Sequence, residues 1–143
     1  MVKVIVVAHG NFSTGILSSL ELIAGKQEDV VGIDFVSGMS SNQVKAAVCT
    51  ELVDAQDVLI LTDLLGGTPF NVSSTLSVEY ADKNIRVLSG LNLAMLLEAV
   101  FSRVIAADLG QLVEKVLDSC HKGIADFASL ASDDDEDDFE GGI

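Results

Sequence analysis

Tryptophan is absent, tyrosine and proline occur once each, and cysteine twice. Cys49 and Cys120 make neither a disulfide framework nor the paired spacing of a zinc site, and both fall in helix-like segments as reduced thiols. Bases are scarce: eight Lys and Arg stand against 22 Asp and Glu, for a net charge of −14. A nucleic-acid backbone needs a basic surface, so no nucleic-acid partner is expected. The same balance disfavours an anionic membrane face. The longest apolar runs are of strand length and too short to span a bilayer. A strand-like run with no cleavage pattern opens the chain, which gives a cytoplasmic expectation. Nucleotide loops of the Gly-x4-Gly-Lys-Ser/Thr and Gly-x-Gly-x-x-Gly kinds are missing, as is the Gly-x-Ser-x-Gly elbow of hydrolases. The aspartates lack calcium-loop spacing. No metal and no cofactor is expected.

The charge is unevenly placed. Seven of the 22 acids lie between Asp133 and Glu140, where there is no Lys or Arg, so the rest of the chain sets 15 acids against eight bases, a net of −7. A block of this kind solvates rather than packs. Residues 1–130 therefore read as one domain and 131–143 as an acidic, disordered tail. The 143 residues suffice for a single buried core.

What is present is an alternation of apolar strand-like runs and helical periodicities. Strands are expected over 2–8, 30–36, 57–62 and 85–88. Helices are expected between them and beyond, carrying Ile16, Leu17 and Leu20, then Val44, Val48 and Leu52, then a segment from about Pro69 to Tyr80. Two more follow, with Asn92 and Asp108 at their starts. Ser13 or Thr14 is the expected cap of the first helix, and Gly25 its end. Residues 124–130 fit either a last strand or a helical extension. The pattern is that of an α/β fold: an open, mainly parallel, doubly wound sheet of about four strands with helices on both faces.

The most informative stretch is Leu61-Thr62-Asp63-Leu64-Leu65-Gly66-Gly67-Thr68-Pro69-Phe70-Asn71. A buried strand ends on a carboxylate. Two glycines turn the chain, and Thr68 followed by Pro69 reads as a helix cap and first turn. A free helix start beside a strand end suits an anion, phosphate above all. The first strand ends at His9-Gly10. If the first and third strands are neighbours, His9 and Asp63 emerge together, and the carboxylate fixes the imidazole tautomer with one nitrogen free as a nucleophile. His121, near a helix end, reads as a surface residue favoured by the dipole. A histidine able to carry a phosphoryl group, in a chain with no nucleotide site of its own, is what remains.

Val6-Val7-Ala8-His9-Gly10, Ile33-Asp34-Phe35 with Gly38, the Asp63 to Asn71 block, and Ser89-Gly90-Leu91-Asn92 resemble, in order, the enzyme IIA component of the mannose-family sugar phosphotransferase system. The resemblance covers residues 1 to about 125. It implies that His9 takes a phosphoryl group from the phosphocarrier HPr and passes it to a IIB component, which phosphorylates the sugar during uptake and links the chain to the membrane IIC and IID components as partners. It implies that Asp63 orients the ring and that Gly66, Gly67 and Thr68 hold the phosphate. It also implies a docking role for Phe12 and a homodimer that exchanges an antiparallel C-terminal strand near residues 123–127. Two alternatives are the phosphotransfer subunit of a dihydroxyacetone kinase and a non-catalytic flavodoxin-like binding module.

Overall fold

The computed structural model describes residues 1–131. The acidic run expected to form a tail lies outside the described residues. Ten elements follow in order: β1 (Lys3–His9), α1 (Phe12–Ala24), β2 (Val30–Phe35), α2 (Ser41–Leu52), β3 (Asp57–Thr62), α3 (Thr68–Glu79), β4 (Asn84–Leu88), α4 (Leu93–Ser102), α5 (Leu109–Lys122) and α6 (Phe127–Ala131). The four strands form one parallel sheet in the order β2-β1-β3-β4.

The two central strands explain the near-continuous apolar runs. Val4, Val6, Leu59 and Leu61 face one layer, where they join Leu20 of α1, Met95 and Leu96 of α4 and Leu112 and Val116 of α5. Their alternates Ile5, Val7, Val58 and Ile60 face the other, against Val44, Val48 and Leu52 of α2 and Leu76 of α3. A strand buried on both faces has no polar face to show, so period-two alternation is lost. The chain leaves β1 over the first layer to reach β2. It then returns over the second layer to β3 and onward to β4, which keeps each crossover right-handed.

Local chemistry sets most helix ends. Ser40 accepts from the Gln43 N–H while the Gln43 side chain returns to Ser40, a capping box for α2. Asn92 caps α4 through the Met95 N–H, and Asp108 caps α5 through the Gln111 N–H, both as the sequence leads one to expect. Gly25 ends α1 at φ 75°.

Two expectations are corrected, and a segment left open between strand and helix is resolved. Neither Ser13 nor Thr14 caps α1. The helix already begins at Phe12, and both hydroxyls bond elsewhere, Ser13 to the Ile33 carbonyl and Thr14 to Asp34. Thr68 does not cap α3 either. Gly67 is the cap residue, extended at φ −72° and ψ 166°, and Thr68 is already helical. The segment that fitted strand or helix is helical at its end: Gly123 closes α5, and residues 127–131 form α6. No antiparallel strand is present among the described residues, and none of the helices there is long and apolar enough to cross a membrane.

The crossovers from β1 and from β3 run in opposite directions. The crevice between their C-terminal ends is thus the switch point of the sheet, the place where α/β folds bind ligands.

Candidate active site

Parallel pairing of β1 with β3, in the register Val7↔Thr62, carries both strands out of the sheet at one rim. His9 and Asp63 emerge there side by side although 54 positions separate them. One carboxylate oxygen, Oδ2, takes two bonds. The His9 backbone N–H donates to it at 3.0 Å, and His9 Nδ1 lies 2.8 Å from it. An ionised carboxylate can only accept, so Nδ1 must carry the proton and Nε2 the free lone pair. The imidazole remains 43% exposed while the carboxylate beneath it is 17% exposed. The base is open to a partner and its anchor is not.

Burial alone would raise the pKa of Asp63. The bonds from the His9 N–H and imidazole, together with the ring's charge, outweigh it and hold the carboxyl below its ordinary value. A depressed carboxyl stabilises the fold above its unfolded-state pKa, and the contribution is lost as pH falls through the lower, folded-state value. Asp63→Asn should therefore be less stable than the wild type at neutral pH. The two denaturation curves should begin to converge as pH drops below the ordinary value of 3.8 and meet below the folded-state value. Chemical denaturation followed across pH checks this, and a constant gap at all pH would contradict it.

The glycine turn closes on the ring's other side. Gly66 sits at φ +80°, a conformation that glycine adopts without penalty. Gly67 has ordinary backbone angles but no room: a Cβ there would lie 2.8 Å from His9 Cε1 and 3.2 Å from the Leu64 carbonyl. The turn is braced by the Asn71 side chain, which donates to the Gly66 carbonyl at 2.9 Å, and by Gly67 N–H to Leu64 at 3.0 Å. The first bond inside α3 runs from the Asn71 N–H to the Gly67 carbonyl. The N–H groups of Thr68 and Phe70 therefore precede the helix's own ladder, and Pro69 has none to satisfy. The start of α3 thus lies beside Nε2 with open donors, and residues 63–71 hold no Lys or Arg. Thr68 also lines a groove with Ser41, Asn42, Lys45, Asn71, Val72 and Thr75.

The structure therefore brings His9, Asp63 and Gly67 into contact and sets Gly66 and Thr68 in the adjoining turn. Phe12 stands at the start of α1, 45% exposed, and Leu64 and Leu65 are exposed in the chain's other rim turn. Phe35 is a site residue that the sequence reading quoted without a role. Its ring meets that of His9 edge-on, with centroids 5.6 Å apart. The pairing His9↔Phe35 in the β1–β2 register was the signal for it. His121 lies exposed in the last turn of α5, as expected for a surface residue at a helix end.

A family model described as the fructose IIA component of the phosphotransferase system, EIIA-man, matches residues 3–117. A solved phosphotransferase-system component EIIA from Streptococcus agalactiae is 64% identical, with a TM-score of 0.89, covering 90% of this chain and 99% of that one. The mannose-specific EIIAB component of Escherichia coli K12 is 29% identical over 126 residues, which is 86% of this chain but 38% of that protein. The chain thus spans well under half the length of that relative. The sorbose-specific EIIA component of Lacticaseibacillus casei is 33% identical over 98 residues and is covered to 70% of its length.

Proposed function

This chain belongs to the mannose family of phosphotransferase-system IIA components, and on that premise we propose that it is a cytoplasmic phosphocarrier in sugar uptake. His9 takes a phosphoryl group from the phosphohistidine of HPr and gives it to a IIB component. The observation that carries the reading is the 2.8 Å contact between Nδ1 and Asp63, which leaves Nε2 free at an exposed rim beside an open helix start.

In the forward step the Nε2 lone pair attacks phosphorus. An Nε2–P bond forms, the donor's N–P bond breaks, and the donor imidazole regains its lone pair. Nδ1 keeps its proton throughout, so the His9 ring gains positive charge as it becomes phosphorylated. Asp63 already stands against that nitrogen and stabilises the charge. The transferring group spreads negative charge over its equatorial oxygens, which the Thr68 and Phe70 N–H groups and the Thr68 hydroxyl are suited to receive. A turn without Lys or Arg holds the group without trapping it, as a carrier must. The second transfer, to IIB, is the same step run in reverse with a new partner.

Phe12, Leu64 and Leu65 give the rim an apolar border that suits docking by protein partners rather than by a free sugar. Exposed Ile124 and Phe127 beyond α5 support a homodimer. Incubation with phosphoenolpyruvate, enzyme I and HPr should give the protein an acid-labile, base-stable phosphate. A protein that gains none is a binding module, and the reading fails. We assign transfer to residues 1–131 alone. A chain ended at Ala131 should be labelled at an unchanged rate in the same assay, and a large loss of rate would give the acidic run a docking role.

A further inference from the structure

Two helices open onto this rim, α1 after His9 and α3 after Asp63. Each points the positive end of its dipole toward the crevice. Their starts are not equivalent. Asn11, the cap residue of α1, makes no side-chain cap bond. The work is done from another strand, 20 positions away. Asp34 Oδ1 accepts the Thr14 N–H at 3.0 Å, and its Oδ2 accepts the Thr14 hydroxyl at 2.7 Å. The start of α3 has no side-chain cap and no acid in its first turn.

Asp34 is one of three consecutive β2 residues that take hold of the turn after His9. The Gly10 N–H donates to the Phe35 carbonyl at 2.8 Å, and the buried Ser13 hydroxyl donates to the Ile33 carbonyl at 2.8 Å. The backbone would stay pinned by those two bonds if Asp34 were neutral. Its charge is therefore available for a separate task. A carboxylate seated on a helix start offsets the field that would otherwise draw an anion, and here it also takes up the Thr14 N–H.

We propose that Asp34 is a positioning residue that closes the start of α1 to anions, so that of the two helix starts flanking His9 only that of α3 receives the phosphoryl group. The consequence for transfer rests on the reading of His9 as the phosphoryl acceptor; the closure itself does not. Without Asp34's charge, the group on His9 would have two competing resting places, one at each helix start, and transfer geometry would blur.

The test is a titration of the full chain with inorganic phosphate, followed by amide NMR. In the wild type the Thr68 and Phe70 amides should shift and those of Phe12, Ser13 and Thr14 should not. In Asp34→Asn, which keeps an acceptor for Thr14 but loses the charge, the α1 amides should become responsive, with an affinity gain of about two- to fivefold. Asp34→Ala should show the same response, and Asp34→Asn remains a near-isosteric test if the alanine variant folds poorly. A purely structural role predicts no phosphate response in Asp34→Asn. Silent α1 amides in Asp34→Asn, or responsive ones in the wild type, would overturn the proposal. Failure of His9 to take label in the coupled assay, with the amides behaving as stated, would instead locate the fault in the carrier reading.

Discussion

His9→Ala is expected to lower phosphoryl uptake from phospho-HPr on the order of 1,000-fold or more, to the limit of detection, because no other group can form the bond to phosphorus. His121 does not substitute for it: that side chain sits in the last turn of α5, a helix packed on the face of the sheet opposite to α3. The fold should survive. The imidazole is 43% exposed and packs against the edge of Phe35, the Asp63 carboxylate and the backbone of the glycine turn. Asp63 retains the backbone N–H of residue 9 after the substitution, so the loss of its imidazole partner should cost about 1–2 kcal/mol. Label counted by acid lability, with thermal unfolding alongside, separates the two effects. Residual acid-labile label in a folded His9→Ala protein would remove His9 from the centre of the mechanism.

Gly67→Ala is the second large effect, and it arises from crowding rather than chemistry. The new methyl would stand 2.8 Å from His9 Cε1 and 3.5 Å from Nε2. On the opposite side the ring is held by Asp63 at 2.8 Å. Either the ring swings off its carboxylate or the start of α3 moves away. Both misplace the nucleophile relative to its donors, and a displacement of this size costs about 100-fold in rate. Stability should change by no more than about 1 kcal/mol, since the backbone angles at Gly67 suit any residue. Gly66→Ala supplies the contrast. Its position meets nothing within 4 Å but holds φ at +80°, so it should lose about 1–2 kcal/mol of stability with a milder effect on rate. Steady-state transfer rates and denaturation midpoints for the pair test this. Equal rate losses in both variants would contradict the contact with the ring.

Much of the candidate site is legible in the sequence. The β3 run ended on Asp63, and the two glycines and Pro69 marked a turn into a helix. Two parallel strands of a doubly wound sheet then sufficed to bring His9 beside Asp63. The cap of α3 was misjudged because Thr followed by Pro has the chemistry of a helix start. The residue against the imidazole must lack a side chain, so the cap fell to Gly67, and Thr68 moved into the first turn. The α1 cap was missed for a different reason. Capping signals in a sequence are read within four residues, whereas Asp34 reaches Thr14 from a neighbouring strand. The last segment could not be assigned because residues 124–130 are short and exposed, with too few buried positions to impose a period.

The proposed transfer turns on which imidazole nitrogen is open. Phosphorylated, nitrogen-15-labelled protein examined by coupled nitrogen and phosphorus NMR reads this directly. The phosphoryl group should be bonded to His9 Nε2, with the proton of Nδ1 still present and hydrogen-bonded. Phosphorus on Nδ1, or on any other residue, would contradict the arrangement of His9 against Asp63 on which every step depends.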